Sequence, residues 1–120
     1  MRTTVTTVLL ALSLGAACTI ERTAGSEARP AWLTALIEDL EAEPVANPPA
    51  LIARYEYQGR TVYYLPPRCC DIPSNVYDDG GAILCHADGG IGGDGDGRCP
   101  DFFSARKNGA VIWRDTRGSK

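Results

Sequence analysis

With 120 residues, 12 basic and 15 acidic side chains and a formal net charge of −3, the chain has room for one small domain and carries no excess of positive charge. Arginine and lysine are scattered singly along it, so no run of phosphates would be neutralised and no nucleic acid partner is expected. Five cysteines in so short a chain make covalent constraint the first feature to explain, because a small core hides little surface from water.

Met1-Arg2 and a few threonines lead into an apolar run from Val8 to Ala17, the charged-then-apolar order of an export signal. Thr6 and Thr7 precede the stretch and Ser13 interrupts it, so it falls short of the roughly 20 apolar residues that span a bilayer. Leu14-Gly15-Ala16-Ala17-Cys18 resembles the bacterial lipobox, in which a cysteine receives a diacylglyceryl group and, after cleavage, further acyl chains such as palmitate. Leu14 stands one position further back than that box usually has it, so ordinary cleavage after Ala17 is the alternative. Cysteine parity favours the lipid: with Cys18 acylated, Cys69, Cys70, Cys85 and Cys99 form an even set for an oxidising compartment. The expectation is therefore a signal peptide over 1–17, a lipidated N-terminus and tether over 18–29, and one domain over 30–117. Removing 1–17 deletes a single charge, Arg2, and takes the net charge from −3 to −4. Thr19 is not the Asp that retains many lipoproteins in the inner membrane, which favours the outer membrane if the host has one.

Pro30 opens an amphipathic helix in which Trp32, Leu33, Leu36, Ile37 and Leu40 share one face, ending near Glu43 before Pro44. Glu38, Asp39, Glu41 and Glu43 crowd the negative end of its dipole, so burial of the apolar face must hold it. After Asn47-Pro48-Pro49, alternation over Leu51 to Tyr57 and Arg60 to Leu65 around Gln58-Gly59 predicts a hairpin. A two-residue turn there puts Leu51, Ala53, Tyr55 and Tyr57 on one face with Val62 and Tyr64, and that face is expected to meet the helix; a three-residue turn would shift the register by one. Short strands are expected at 82–86 and at 110–114, the second after an Asn108-Gly109 turn. The fold class is α+β: one helix packed on a small antiparallel sheet, with a disulfide-stapled loop rich in Gly and Asp.

Val62-Tyr63-Tyr64, Cys69-Cys70-Asp71, Tyr77-Asp78, Cys85, Asp88-Gly89-Gly90, Gly95-Asp96-Gly97, Cys99-Pro100-Asp101-Phe102 and Trp113-Arg114-Asp115 are the residues that carry a resemblance. Over about residues 48 to 117 the chain resembles a family of small bacterial envelope proteins known only as a domain of unknown function. The resemblance brings no activity with it. Ala87 stands where the pattern suggests proline.

A bridge between adjacent Cys69 and Cys70 strains the peptide that joins them, so each is expected to pair with one of Cys85 and Cys99 in either of two ways. Zinc on these cysteines and His86 lacks the Cys-x-x-Cys spacing, and a redox role for the adjacent pair lacks it too. His86, the only histidine, has no recognisable nucleophile motif beside it. The stretch from Asp88 to Asp101 is no phosphate cradle, since its glycines alternate with carboxylates. Calcium on Asp88, Asp94, Asp96 and Asp101 suits hard oxygen ligands in a flexible loop, although Arg98 breaks the EF-hand spacing. The competing account is that the glycines supply positive-φ turns and the aspartates cap them.

No cofactor is expected beyond that possible calcium, and no enzymatic activity. The function expected is a non-enzymatic envelope lipoprotein module, held to the membrane by its lipid, that binds or supports another envelope protein or a surface polymer. A calcium-stabilised binding module and a small disulfide-locked protease-inhibitor-like protein are the alternatives.

Overall fold

The computed structural model describes residues 29–68 and 71–118 together with Gly15. The expected signal peptide, the tether with its Cys18, and the pair Cys69 and Cys70 lie outside the described residues, apart from Gly15 and Arg29. The fold is α+β, as expected. Helix α1 runs Ala31–Ala42, and strands β1 Leu51–Tyr57, β2 Arg60–Leu65, β3 Asn75–Tyr77, β4 Ile83–Cys85 and β5 Lys107–Arg114 form one antiparallel sheet in the order β4-β3-β2-β1-β5. A one-turn helix, α2 Phe102–Ala105, precedes β5.

The hairpin has the two-residue turn. Tyr57 pairs with Arg60, and Gln58 and Gly59 both take positive φ, +52° and +75°, the backbone that lets two twisted strands join without splaying. The register puts Tyr55 opposite Val62 and Ala53 opposite Tyr64, so these residues share a face as the alternation implies.

That face does not meet the helix. Leu33, Ile37 and Leu40 of α1 pack instead on Ile52, Tyr63, Leu65 and Tyr77, the residues of the opposite face. The Tyr57, Val62 and Tyr64 face carries a second core with Val76, Cys85, Cys99 and Phe102. The physical reason lies in the unbroken apolar run Val62-Tyr63-Tyr64-Leu65, all buried: a strand apolar on both faces belongs to a sheet covered on both. The molecule is thus three layers, with helix α1 on one side of the sheet and the Gly/Asp loop with α2 on the other.

Trp32 fixes the start of the helix layer. Its ring meets Tyr63 edge-on at 5.3 Å and Tyr77 at 5.5 Å, and its indole N–H donates to the Asp79 carbonyl at 2.7 Å. Gly81, at φ +86°, lies against that indole, where a β-carbon would come within 2.7 Å of the ring.

Strand β5 is longer than the expected 110–114 because Asn108-Gly109 is not a turn between strands. Glu56 pairs with Lys107 and Arg54 with Ala110, so β5 spends one extra residue there, with Asn108 at φ +52°; a second irregularity falls between Trp113 and Val111. Tyr55 lies over the bulge, where a β-carbon on Gly109 would sit 2.3 Å from its ring.

The acidic C-terminal end of α1 is answered from the far end of the chain. Arg117 donates to the carbonyls of Leu40 at 3.2 Å, Glu41 at 2.7 Å and Glu43 at 3.1 Å, while its Nε and Nη2 grip the buried Asp115 carboxylate at 3.0 and 2.7 Å. One guanidinium therefore caps three orphan carbonyls and supplies the cation the helix dipole lacks. The side-chain and backbone hydrogen bonds from Arg117 hold the Asp115 carboxyl below the usual carboxylate range. Since the folded value lies below the unfolded one, this stabilisation is present at neutral pH and is lost as pH falls through the folded value. Asp115→Asn should lower the melting temperature at neutral pH and flatten its further fall below about pH 4. Thermal melts across that range check it, and an acid limb as steep as wild type refutes the clamp.

Candidate functional site

The Gly/Asp loop is built on the second face of the sheet. Cys85, buried in β4 beside Val76, is disulfide-bonded to Cys99, with Cα atoms 6.1 Å apart, inside the usual span for such a bridge. This corrects the expectation that Cys85 and Cys99 each pair with one of the adjacent cysteines. The loop between them folds back on itself and brings both sulfurs together on one side of the sheet.

Backbone and aspartate hydrogen bonds wind the loop between those sulfurs. Ser74 N–H donates to the Asp88 carbonyl at 2.9 Å and Asp88 N–H to the Ser74 hydroxyl at 3.0 Å, which straps the loop to the start of β3. Asp96 N–H donates to the His86 carbonyl at 2.9 Å, and the Asp96 carboxylate accepts from the N–H groups of His86 at 3.1 Å and Arg98 at 3.0 Å. Those hydrogen bonds, from Arg98 first, lower the Asp96 carboxyl from its ordinary range. Gly95, at φ +69°, crosses the His86 carbonyl so closely that a β-carbon would stand 2.0 Å from it, and no other residue fits there.

After Cys99 the chain seats Phe102, fully buried, on the tyrosines of the sheet: its ring lies 5.3 Å from Tyr57, 5.4 Å from Tyr64 and 6.0 Å from Tyr55. Two of the loop aspartates tie the same tyrosines. Tyr64 donates to Asp88 at 2.8 Å and Tyr57 to Asp101 at 2.5 Å. Arg106 lies over this cluster, its guanidinium carbon 4.5 Å from the Tyr55 centroid and 4.8 Å from Phe103.

The four calcium candidates are therefore distributed over separate duties. Asp88 and Asp101 hold different tyrosines, Asp96 caps backbone, and Asp94 lines an open cleft of about 440 Å³ together with His86, Asp88, Pro100 and Phe103. Among the described residues no three His, Cys, Asp or Glu side chains gather as a metal site. His86 directs Nδ1 at the Ser74 carbonyl, 2.7 Å away, which orients the ring but places no nucleophile on it. At the loop tip Ile91 is 93% exposed, at the corner of a turn closed by Gly93 N–H donating to the Gly90 carbonyl at 3.2 Å. That corner is not the extended backbone that pairs with a protease cleft.

Residues that sequence reasoning missed are Phe102, Arg106, Ser74 and Ile91, besides Arg60 and Arg98, which share a second cleft with Tyr57, Gln58, Leu84 and the disulfide. The Phe102-Phe103 pair three residues after Cys99 was the available signal for the buried ring.

The Asp101 hydrogen bond, burial and the Asp101 charge push the Tyr57 hydroxyl up to about 12, and burial, with Asp88, raises Tyr64 as well. A folded value above the unfolded one gives stabilisation that is full below about pH 10 and lost as pH climbs through the folded value. The melting temperature should therefore fall above about pH 10, and Tyr57→Phe should shallow that alkaline limb; a slope unchanged by the substitution would show that Tyr57 is not so held. Millimolar calcium and then excess chelator should leave the melting temperature at neutral pH where it was, whereas a calcium-dependent rise would restore the carboxylates to a ligand role.

A family model described as a domain of unknown function, DUF6970, matches residues 38–115. No curated protein and no solved structure matches the chain.

Proposed function

We propose, for a chain that belongs to the DUF6970 family of domains of unknown function, a non-enzymatic binding module of the bacterial cell envelope, exported and tethered by a lipid on Cys18. The observation that carries the binding role is Ile91. A large apolar side chain, 93% exposed and flanked by glycines, contributes nothing to the core, yet the turn beneath it is braced by the Gly89 to Gly95 backbone bonds and by the Cys85–Cys99 disulfide. A rigid mount under an exposed apolar residue suits an anchor for another macromolecule, because the entropy of ordering the loop is already spent in folding. Asp88, Asp96, Asp101 and His86 support a non-enzymatic role by being engaged in holding the loop itself. The lipid anchor is supported by the apolar leader, the Leu14 to Cys18 sequence and cysteine parity.

Both parts are open to one experiment. A photo-reactive amino acid at position 91, activated in intact cells, is followed by membrane extraction and intact mass measurement. The expected result is a chain beginning at an acylated Cys18 together with a discrete cross-linked envelope adduct. Such an adduct should be absent when the same group replaces Glu38 on the exposed face of α1. An unlipidated chain removes the anchor, and a position 91 that yields no adduct removes the binding role.

A further inference from the structure

The cleft beside the hairpin turn brings together two cations that the sequence keeps far apart. Arg60 opens β2 directly after the Gln58-Gly59 turn, and Arg98 immediately precedes Cys99; the disulfide carries Arg98 to the hairpin. Both line a cleft of about 210 Å³ with Tyr57, Gln58, Leu84, Cys85 and Cys99. Among the described residues neither guanidinium forms a salt bridge or a side-chain hydrogen bond, in contrast to Arg68, which pairs with Glu43, and Arg117, which pairs with Asp115.

Two carboxylates of the loop region, Asp96 and Asp101, are engaged in hydrogen bonds of their own, although the Asp96 charge also acts on Arg98. Asp96 accepts from two backbone N–H groups, one of them that of Arg98, and Asp101 accepts from the Tyr57 hydroxyl. The Gln58 amide donates to that same hydroxyl at 3.3 Å, which ties together two of the polar groups that line the cleft. The cleft is lined by two residues that carry positive, fork-shaped donor groups, together with both cysteines of the disulfide. One guanidinium matches a carboxylate; two together match a phosphate, whose unesterified oxygens can accept from both forks.

We infer that the Arg60 and Arg98 cleft is a binding site for a phosphate group, either free or on the headgroup of a lipid. It does not depend on the reading of Ile91, which is not among the residues lining the cleft. The contact is a charge-assisted pair of hydrogen-bonded forks, so it weakens with salt and needs both arginines.

The test is a titration of the folded, isotopically labelled mature chain with inorganic phosphate, read on the arginine Nε–Hε resonances, with chloride at matched ionic strength as reference. Saturable shifts at Arg60 and Arg98 beyond those in chloride are expected. Arg60→Ala or Arg98→Ala should each weaken the titration by about tenfold or more, as loss of a hydrogen bond to a charged group does. Both side chains are exposed, so neither change threatens the fold, and Arg60→Lys, which keeps the charge without the fork, should bind between the two. Co-sedimentation with phosphatidylglycerol vesicles, against phosphatidylcholine vesicles, assigns the source. Retention on the anionic vesicles that is lost in Arg98→Ala marks a headgroup, and phosphate binding without such retention marks the free ion. Phosphate shifts no larger than those in chloride, or equal shifts at every arginine, overturn the site.

Discussion

The seating of Phe102 under the Cys85–Cys99 bridge is the constraint from which the second half of the molecule follows. A loop made largely of Gly and Asp cannot hide enough apolar surface to fold by itself. It acquires a shape because its two ends are fixed: one by a cysteine inside β4, the other by a cysteine followed by a ring packed among three tyrosines. Closing a loop of about 15 residues covalently is worth on the order of 3 kcal/mol in the chain-entropy account, and burying a phenylalanine contributes about as much again. With the ends set, the glycines meet the positive φ that the crossings demand, and the aspartates find backbone N–H groups and phenols to accept from. The sheet gains as well, because its tyrosine face is covered without a second long helix.

How far the sequence announces this differs from element to element. The amphipathic stretch after Pro30 is legible to within a residue or so, since Leu33, Ile37 and Leu40 fall at helical spacing and Pro44 forbids continuation. The hairpin is legible, but its register is not: Gln58 is a weak residue for positive φ, so the sequence leaves a two-residue and a three-residue turn both open, and the structure has the former. The partner of each face is not. Alternation tells which residues share a side but not what covers it, and here the apolar run 62–65 was the sign that both sides are covered. Strand β3, three residues long, is set by pairing with Tyr63, Tyr64 and Leu65 rather than by its own composition. The disulfide partner was misjudged because the strain of a vicinal bridge says nothing about how near Cys85 and Cys99 come once the loop is wound. The Arg60 and Arg98 juxtaposition was beyond reach for the same reason: it exists only after the bridge has formed, and a count of basic residues along the chain shows each as a scattered single charge.

The two faces divide the labour. The helix side is closed, its apolar residues interlocked and its last turn clamped by Arg117 from near the far end of the described chain. The loop side is where polar groups, clefts and the exposed Ile91 collect. Division of this kind lets the loop vary in what it presents while the sheet and helix keep the same core.

Strand β5 deserves its two irregularities for another reason. It is the longest strand, it lies at the edge of the sheet, and Val111 is half-exposed on it. A straight edge of that length is a template on which a second copy can lay its own strand. The extra residue at Asn108 and the break before Trp113 put the free N–H and C=O groups out of step with any regular partner, while Lys107 and Arg114 place like charges at its ends. What a bulge costs in ladder regularity it returns as resistance to polymerisation, so straightening β5 should be expected to trade solubility for strand order.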